Sequence, residues 1–221
     1  MIISSEPSTN TNLFYHNTYV NQLVDLALCN IEDKIFLDIL NLISTTNVNT
    51  IKRPLVLFKY DADDSKIQTY DQIKLLLDNI YLDKDKDNLR GVFLELLTFK
   101  YLNNNFPIIK SDLDCHIVID GIKCRKTVDV FALWEYDGFI SECKINHKYF
   151  EDHDLSTLNT LYFNSEKILS PYIITLASED LINKKLNELA LEDDTNVIIH
   201  WAYLNVISID NIHEFFHNSV Q

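Results

Sequence analysis

Three charged residues stand where charge is expensive. Asp129 lies in TVDVFALW, flanked by Val128, Val130, Phe131, Ala132 and Leu133, and Glu142 and Lys144 lie in FISECKI, flanked by Phe139, Ile140, Cys143 and Ile145. Both segments have the length and the β-branched or aromatic content of strands buried on both faces. A charged side chain there is costly unless it is paired or coordinated to a metal. Asp129 and Glu142 are hard oxygen ligands suited to Mg²⁺ or Mn²⁺. The competing explanation is a structural salt bridge between Lys144 and one or both carboxylates.

A turn joins the two segments, and it decides whether the three side chains meet. Asp137-Gly138 is a two-residue hairpin signal. Across a loop with an even number of residues, side chains that alternate with period two bring Asp129, Glu142 and Lys144 to one face. A fourth carboxylate comes from another element. Glu95 lies in the helical stretch NLRGVFLELLTFKYLN, with Gly91, Val92, Thr98, Phe99 and Leu102 three to seven residues away. That is an apolar stripe, so Glu95 is expected to point toward a sheet, which Gly91 lets the helix approach closely.

The densest basic group, Lys123, Arg125 and Lys126, precedes Asp129 in what reads as a turn beginning at Gly121, and Lys148 with His147 follows the Glu142 strand. These residues are candidates for phosphate contacts, although charge runs commonly just face water. Other signals are weaker. DKDKDN at 83–88 lacks the glycine and the twelfth-position carboxylate of a calcium loop. His200 on an apolar strand reads as a core histidine, and His213 with His217 lacks a third metal ligand.

The elements that must position these residues follow from the periodicities. Residues 1–12 read as a loose terminus, 18–44 as one or two helices with a break near Asn30, 54–60 (PLVLFKY) as a strand, and 66–81 as a helix. The helix at 88–103 is followed by strands at 115–119, 127–134 and 139–145. A helix (155–169), a strand (172–177), a helix (179–191), a strand (197–204) and a last short helix (211–217) complete the chain. The order from Asn88 is an αβββαβ core, a mixed α/β sheet with helices on both faces, preceded by a mainly helical extension over residues 1–87.

Composition narrows the function. With a formal charge of −14, the chain does not grip nucleic acid with its whole surface, since nonspecific affinity comes from Lys and Arg neutralising phosphates. Residues 151–221 hold three lysines against twelve acidic side chains, so the C-terminal third is not expected to be the substrate face. The four cysteines form no CxxC pair and follow no secretory signal, which points to reduced thiols in the cytoplasm and to neither a zinc site nor a disulfide framework. No apolar run reaches the length of a membrane span.

Glu95 on a helix, Asp129 on a strand and Glu142-Cys143-Lys144 on the next strand resemble the PD-(D/E)xK nuclease superfamily, the restriction-endonuclease-like fold, over about residues 88–204. Val128 stands where the motif has its proline, and no Gln-x-x-x-Tyr follows in the next helix, so the branch within the superfamily stays open. The resemblance implies a metal-dependent endonuclease acting on DNA more readily than RNA. Asp129, Glu142, Lys144 and Glu95 would be catalytic, with Asp129, Glu142, the Cys143 carbonyl and Glu95 around Mg²⁺ or Mn²⁺. Lys123, Arg125, Lys126 and Lys148 would contact nucleic acid. Because the chain is so acidic, a protein partner is expected to supply grip, as in some defence complexes of this superfamily, with residues 18–81 as the docking surface. The alternative from another class is a noncatalytic interaction subunit that keeps the fold.

Overall fold

The computed structural model describes residues 1–8, 13–45, 54–58, 60, 63–192 and 203–218, with 64, 65, 190–192 and 218 described by backbone alone. Two compact units result, one of residues Leu13–Leu97 and one of Met1–Asn12 with Thr98–Gln221.

The Leu13–Leu97 unit is helical: α1 (Thr18–Cys29), α2 (Lys34–Ser44), α3 (Asp64–Leu82) and the first part of α4 (Lys86–Asn105). Asn17 and Asp33 cap α1 and α2 through side-chain oxygens that accept from the first-turn amides, so the break near Asn30 separates two helices. Arg90 closes the other end of α2. Its buried guanidinium donates to the Ile43 and Ser44 carbonyls at 2.8 and 2.9 Å, oxygens that a helix end leaves without intrahelical partners. Tyr81 donates to the Leu42 carbonyl at 2.8 Å beside it.

The run PLVLF, expected as a strand, is helical over residues 54–58. A five-residue apolar run does not distinguish the two conformations, and only Leu55 is buried while Val56 and Leu57 face solvent.

The other unit is a six-stranded mixed sheet in the order β1-β2-β3-β4-β5-β6. Its strands are β1 (Ile3–Pro7), β2 (Lys110–Ile119), β3 (Ile122–Leu133), β4 (Gly138–Lys144), β5 (Leu169–Thr175) and β6 (Asn205–Ile207). β1 through β4 are antiparallel, and β5 and β6 continue parallel to β4. A parallel step needs a crossover, which α5 (Asp152–Asn164) provides between β4 and β5. The remaining helices are α6 (Glu179–Glu192) and α7 (Ile212–Asn218), so helix, three strands, helix, strand stands as expected.

Two departures concern this unit. The expected loose terminus contributes β1, paired Ile3↔Ile119 through Pro7↔Cys115, because a short alternating ISSEP finds a partner edge far along the chain. The expected strand at 197–204, with His200, lies outside the described residues except for Tyr203 and Leu204, neither of which is in a strand.

β4 is buried along nearly its whole length and is the centre of the sheet. On one face, Phe131, Ile140 and Ile173 meet Leu155, Leu158 and Leu161 of α5 and Ile182 and Leu186 of α6. On the other, Phe139 stacks on Tyr172 at 4.4 Å, and Tyr101 meets Phe216 of α7 edge-on at 4.7 Å. Charge on such a strand must be accommodated inside the protein.

Candidate functional site

Asp129 stands where the sheet's hydrogen bonding is interrupted. The β3–β4 pairing runs from Leu133↔Gly138 to Val130↔Ser141 and stops, while β4 stays paired with β5 as far as Lys144↔Thr175. Past Ser141, β4 has lost its β3 backbone partners. The Cys143 amide turns instead to the Asp129 carboxylate, donating to Oδ2 at 2.7 Å. The β2–β3 ladder also passes over this position, pairing Leu113↔Val130 and then Cys115↔Val128, with Asp114 held at φ 41°. A carboxylate is therefore at home in this apolar strand because it satisfies an amide that the ladder leaves over.

Glu142 projects from the same stretch of β4 and is only 4% exposed. Lys144, two residues on, places its Nζ 2.9 Å from Glu142 Oε2 and 3.0 Å from Asp129 Oδ2, so one ammonium joins both carboxylates. Burial pushes the Glu142 carboxyl well above the ordinary range, and the Asp129 charge pushes it further, against the pull of Lys144. For Lys144, burial disfavours the charged form, but the Asp129, Glu142 and Asp154 carboxylates outweigh it and hold the pKa above the usual value.

The expected grouping of Asp129, Glu142 and Lys144 is present, although the turn differs. The loop is Trp134–Asp137, closed by the Trp134 amide donating to the Asp137 carbonyl at 2.9 Å, and Gly138 is already in β4 opposite Leu133. Four residues are even, as two are, so the face assignment survives. The two-residue turn forms instead at Asp120-Gly121, with both φ positive (49° and 81°) between Ile119 and Ile122.

Glu95 belongs to the Leu13–Leu97 unit, where the Tyr15 hydroxyl donates to its Oε2. Lys123, Arg125 and Lys126 lie along the exposed half of β3 rather than in a turn, and Lys123 pairs with Glu6 of β1 at 2.9 Å. Lys148 is exposed in a 3₁₀ helix (His147–Tyr149) that follows β4.

Asp154 was not singled out from the sequence. It is buried near the start of α5, where its Oδ2 accepts the Glu151 amide at 2.9 Å, and its charge is felt by both Glu142 and Lys144. Glu-x-x-Asp before an apolar run marks a helix start, but nothing in that pattern reports what the helix start lies beside.

Among the described residues no group of three His, Cys, Asp or Glu side chains is disposed to hold a metal. Asp129 and Glu142 both turn a carboxylate oxygen toward one cation, the Lys144 ammonium, and are hard oxygen donors of the kind a divalent ion takes. Mg²⁺ commonly takes only one or two carboxylates and keeps water in its other positions.

No family model matches the chain, and no curated protein matches it. Among the solved structures similar to it are two that overlap it along 99% of its length. Protein VC1899 from Vibrio cholerae is 14% identical with a TM-score of 0.49, and this chain covers 58% of it. Can2 from Sulfobacillus thermosulfidooxidans, in complex with cyclic tetra-adenylate, is 11% identical with a TM-score of 0.44, and this chain covers 56% of it. The chain thus spans less than two thirds of the length of either structure.

Proposed function

We propose that the chain is a metal-dependent phosphodiesterase that cleaves nucleic acid, DNA in preference to RNA. The observation that carries this is the single ammonium bridging Asp129 and Glu142 on a strand buried at the centre of a mixed sheet. Asp129, Glu142 and the Cys143 carbonyl would hold Mg²⁺ or Mn²⁺. When bound, the ion supplies Lewis acidity toward a phosphate oxygen and lowers the pKa of a coordinated water. Lys144 supplies a fixed positive charge for the charge that develops on the phosphate, or orients the attacking water. The Cys143 amide holds the Asp129 carboxylate in place. Val128 and Phe131 of β3 and Ile140 of β4 are fully buried close to the charges in sequence, and a low-dielectric setting strengthens each electrostatic interaction.

The chain would act in the cytoplasm as the nuclease subunit of a larger complex, such as a defence or restriction system, whose partner supplies grip that a chain of charge −14 lacks. The test is cleavage of single- and double-stranded DNA and RNA with Mn²⁺. Asp129→Asn and Lys144→Ala should each lower the rate by about a hundredfold or more while the fold is retained. Undiminished cutting by both variants would sink the assignment.

A second reading is favoured by the same ammonium: a structural cluster in which Lys144 already neutralises the carboxylates of a noncatalytic subunit. Metal separates the two. A nuclease site gains thermal stability with Mn²⁺, about 5–10 °C at a hundred times Kd, and loses the gain in Asp129→Asn. A structural cluster shows no gain with Mn²⁺ in either protein.

A further inference from the structure

The 3₁₀ helix His147–Tyr149 begins three residues beyond Lys144, and its direction is set by Asn146, whose Oδ1 accepts the Lys148 amide at 3.0 Å. α6 packs against it. α6 is itself fixed in rotation by Ile182, Leu186 and Leu189, which enter the core beneath the sheet. That rotation leaves Lys184 exposed and Lys185 half-buried on the surface. Both lysines act on the half-buried His147, as does Lys148, while Glu188 opposes them; burial comes first among the causes that lower its pKa. Two segments almost forty residues apart therefore bring three lysines and a histidine together beside the end of the Glu142 strand. Among the described residues none of the three lysines joins an ion pair, whereas Lys123 is committed to Glu6. Tyr149 is 67% exposed next to Lys148 and offers an aromatic face.

We propose that Lys148, Lys184 and Lys185 form a strip that binds the phosphate backbone of nucleic acid beside the end of β4, with Tyr149 as a stacking surface for a base. The proposal rests on the nuclease reading of Asp129, Glu142 and Lys144 and adds the surface on which the substrate lies. It also revises the expectation that the C-terminal third stays away from substrate, since two of that segment's three lysines are here. On a chain of charge −14 such a concentration of cations is a place where a polyanion meets less repulsion. Lysines that neutralise phosphates bind every sequence alike and give the interaction its salt dependence. A strip of this kind orients the backbone, and a partner is still needed for tight binding.

The experiment measures binding of fluorescein-labelled single-stranded and duplex DNA oligonucleotides by the full chain in EDTA, across low salt concentrations. Lys148→Ala/Lys184→Ala/Lys185→Ala should weaken binding by about tenfold or more and lower the log–log salt slope by about three. Lys74→Ala/Lys84→Ala/Lys86→Ala removes the same charge from exposed or half-exposed positions of the helical unit and should change the slope little. Equal slopes for the parent and the first variant, equal losses in the two variants, or a parent that binds no oligonucleotide at low salt would each overturn the strip. The Mn²⁺-dependent gain in melting temperature reports the Asp129 and Glu142 site separately. A parent that shows no gain while the slope still falls in the first variant refutes the metal site and leaves the strip standing.

Discussion

Lys144 binds the same carboxylate oxygens that a metal would approach, so the ammonium and the ion compete as well as cooperate. Without metal, removing the ammonium leaves a buried Glu142 beside Asp129 with no cation. Breaking a buried pair costs several kcal/mol, and with the Lys144 side chain 24% exposed we expect Lys144→Ala to lose about 2–3 kcal/mol in urea unfolding. The same variant should gain more from Mn²⁺ than the parent does, because the ion then meets two carboxylates that nothing neutralises. An equal or smaller gain would mean that the ion does not sit between Asp129 and Glu142. These residues were legible in the sequence because charge inside an apolar strand is costly and therefore conspicuous. Asp154 was not, because a carboxylate at a helix start looks the same whether it faces water or a buried lysine.

The elements hold this pair through one close approach. At Gly138 an added Cβ would come 2.5 Å from Leu169 Cδ2 and 3.2 Å from the Ala132 carbonyl, so β4 lies against both neighbouring strands where it begins. Gly138→Ala should cost about 1–3 kcal/mol by overpacking, read as a lower urea midpoint. Gly121→Ala meets no atom within 4 Å, and its cost is confined to the positive φ of 81°. A larger loss at Gly121 than at Gly138 would contradict this account of how β4 is seated. Two Asp-Gly pairs therefore look alike in sequence and act differently, one as a two-residue turn and one as a strand start that needs a small residue. Period and turn chemistry revealed β2 to β5 and the helices around them. They could not show β1, whose partner strand lies more than a hundred residues away, nor choose helix over strand for PLVLF.

Across the whole molecule, acidic excess makes stability depend on pH, because repulsion within a chain of charge −14 grows as carboxylates ionise. One buried group can be separated from that background. Asp38 of α2 is almost fully buried and accepts the Tyr70 hydroxyl of α3 at 2.6 Å, within the helical unit. Burial raises its pKa, and the Tyr70 hydrogen bond recovers only part of the loss. A carboxyl whose pKa is higher folded than unfolded contributes stability that is present below the unfolded value and is lost as pH rises through the folded one. Asp38→Asn keeps an acceptor for Tyr70 and cannot ionise, so it should gain on the parent as pH rises from about 4 toward neutrality. Tyr70 is also raised, but above its ordinary value near 10, so it stays protonated throughout this window. The measurement is urea unfolding of both proteins at several pH values, with the Mn²⁺ response followed in parallel. The difference between them should grow with pH while the metal gain stays the same, because Asp38 serves the helical unit and Asp129 the sheet. A difference that is flat with pH, or that shrinks, would show that burial does not raise the pKa of the Asp38 carboxyl.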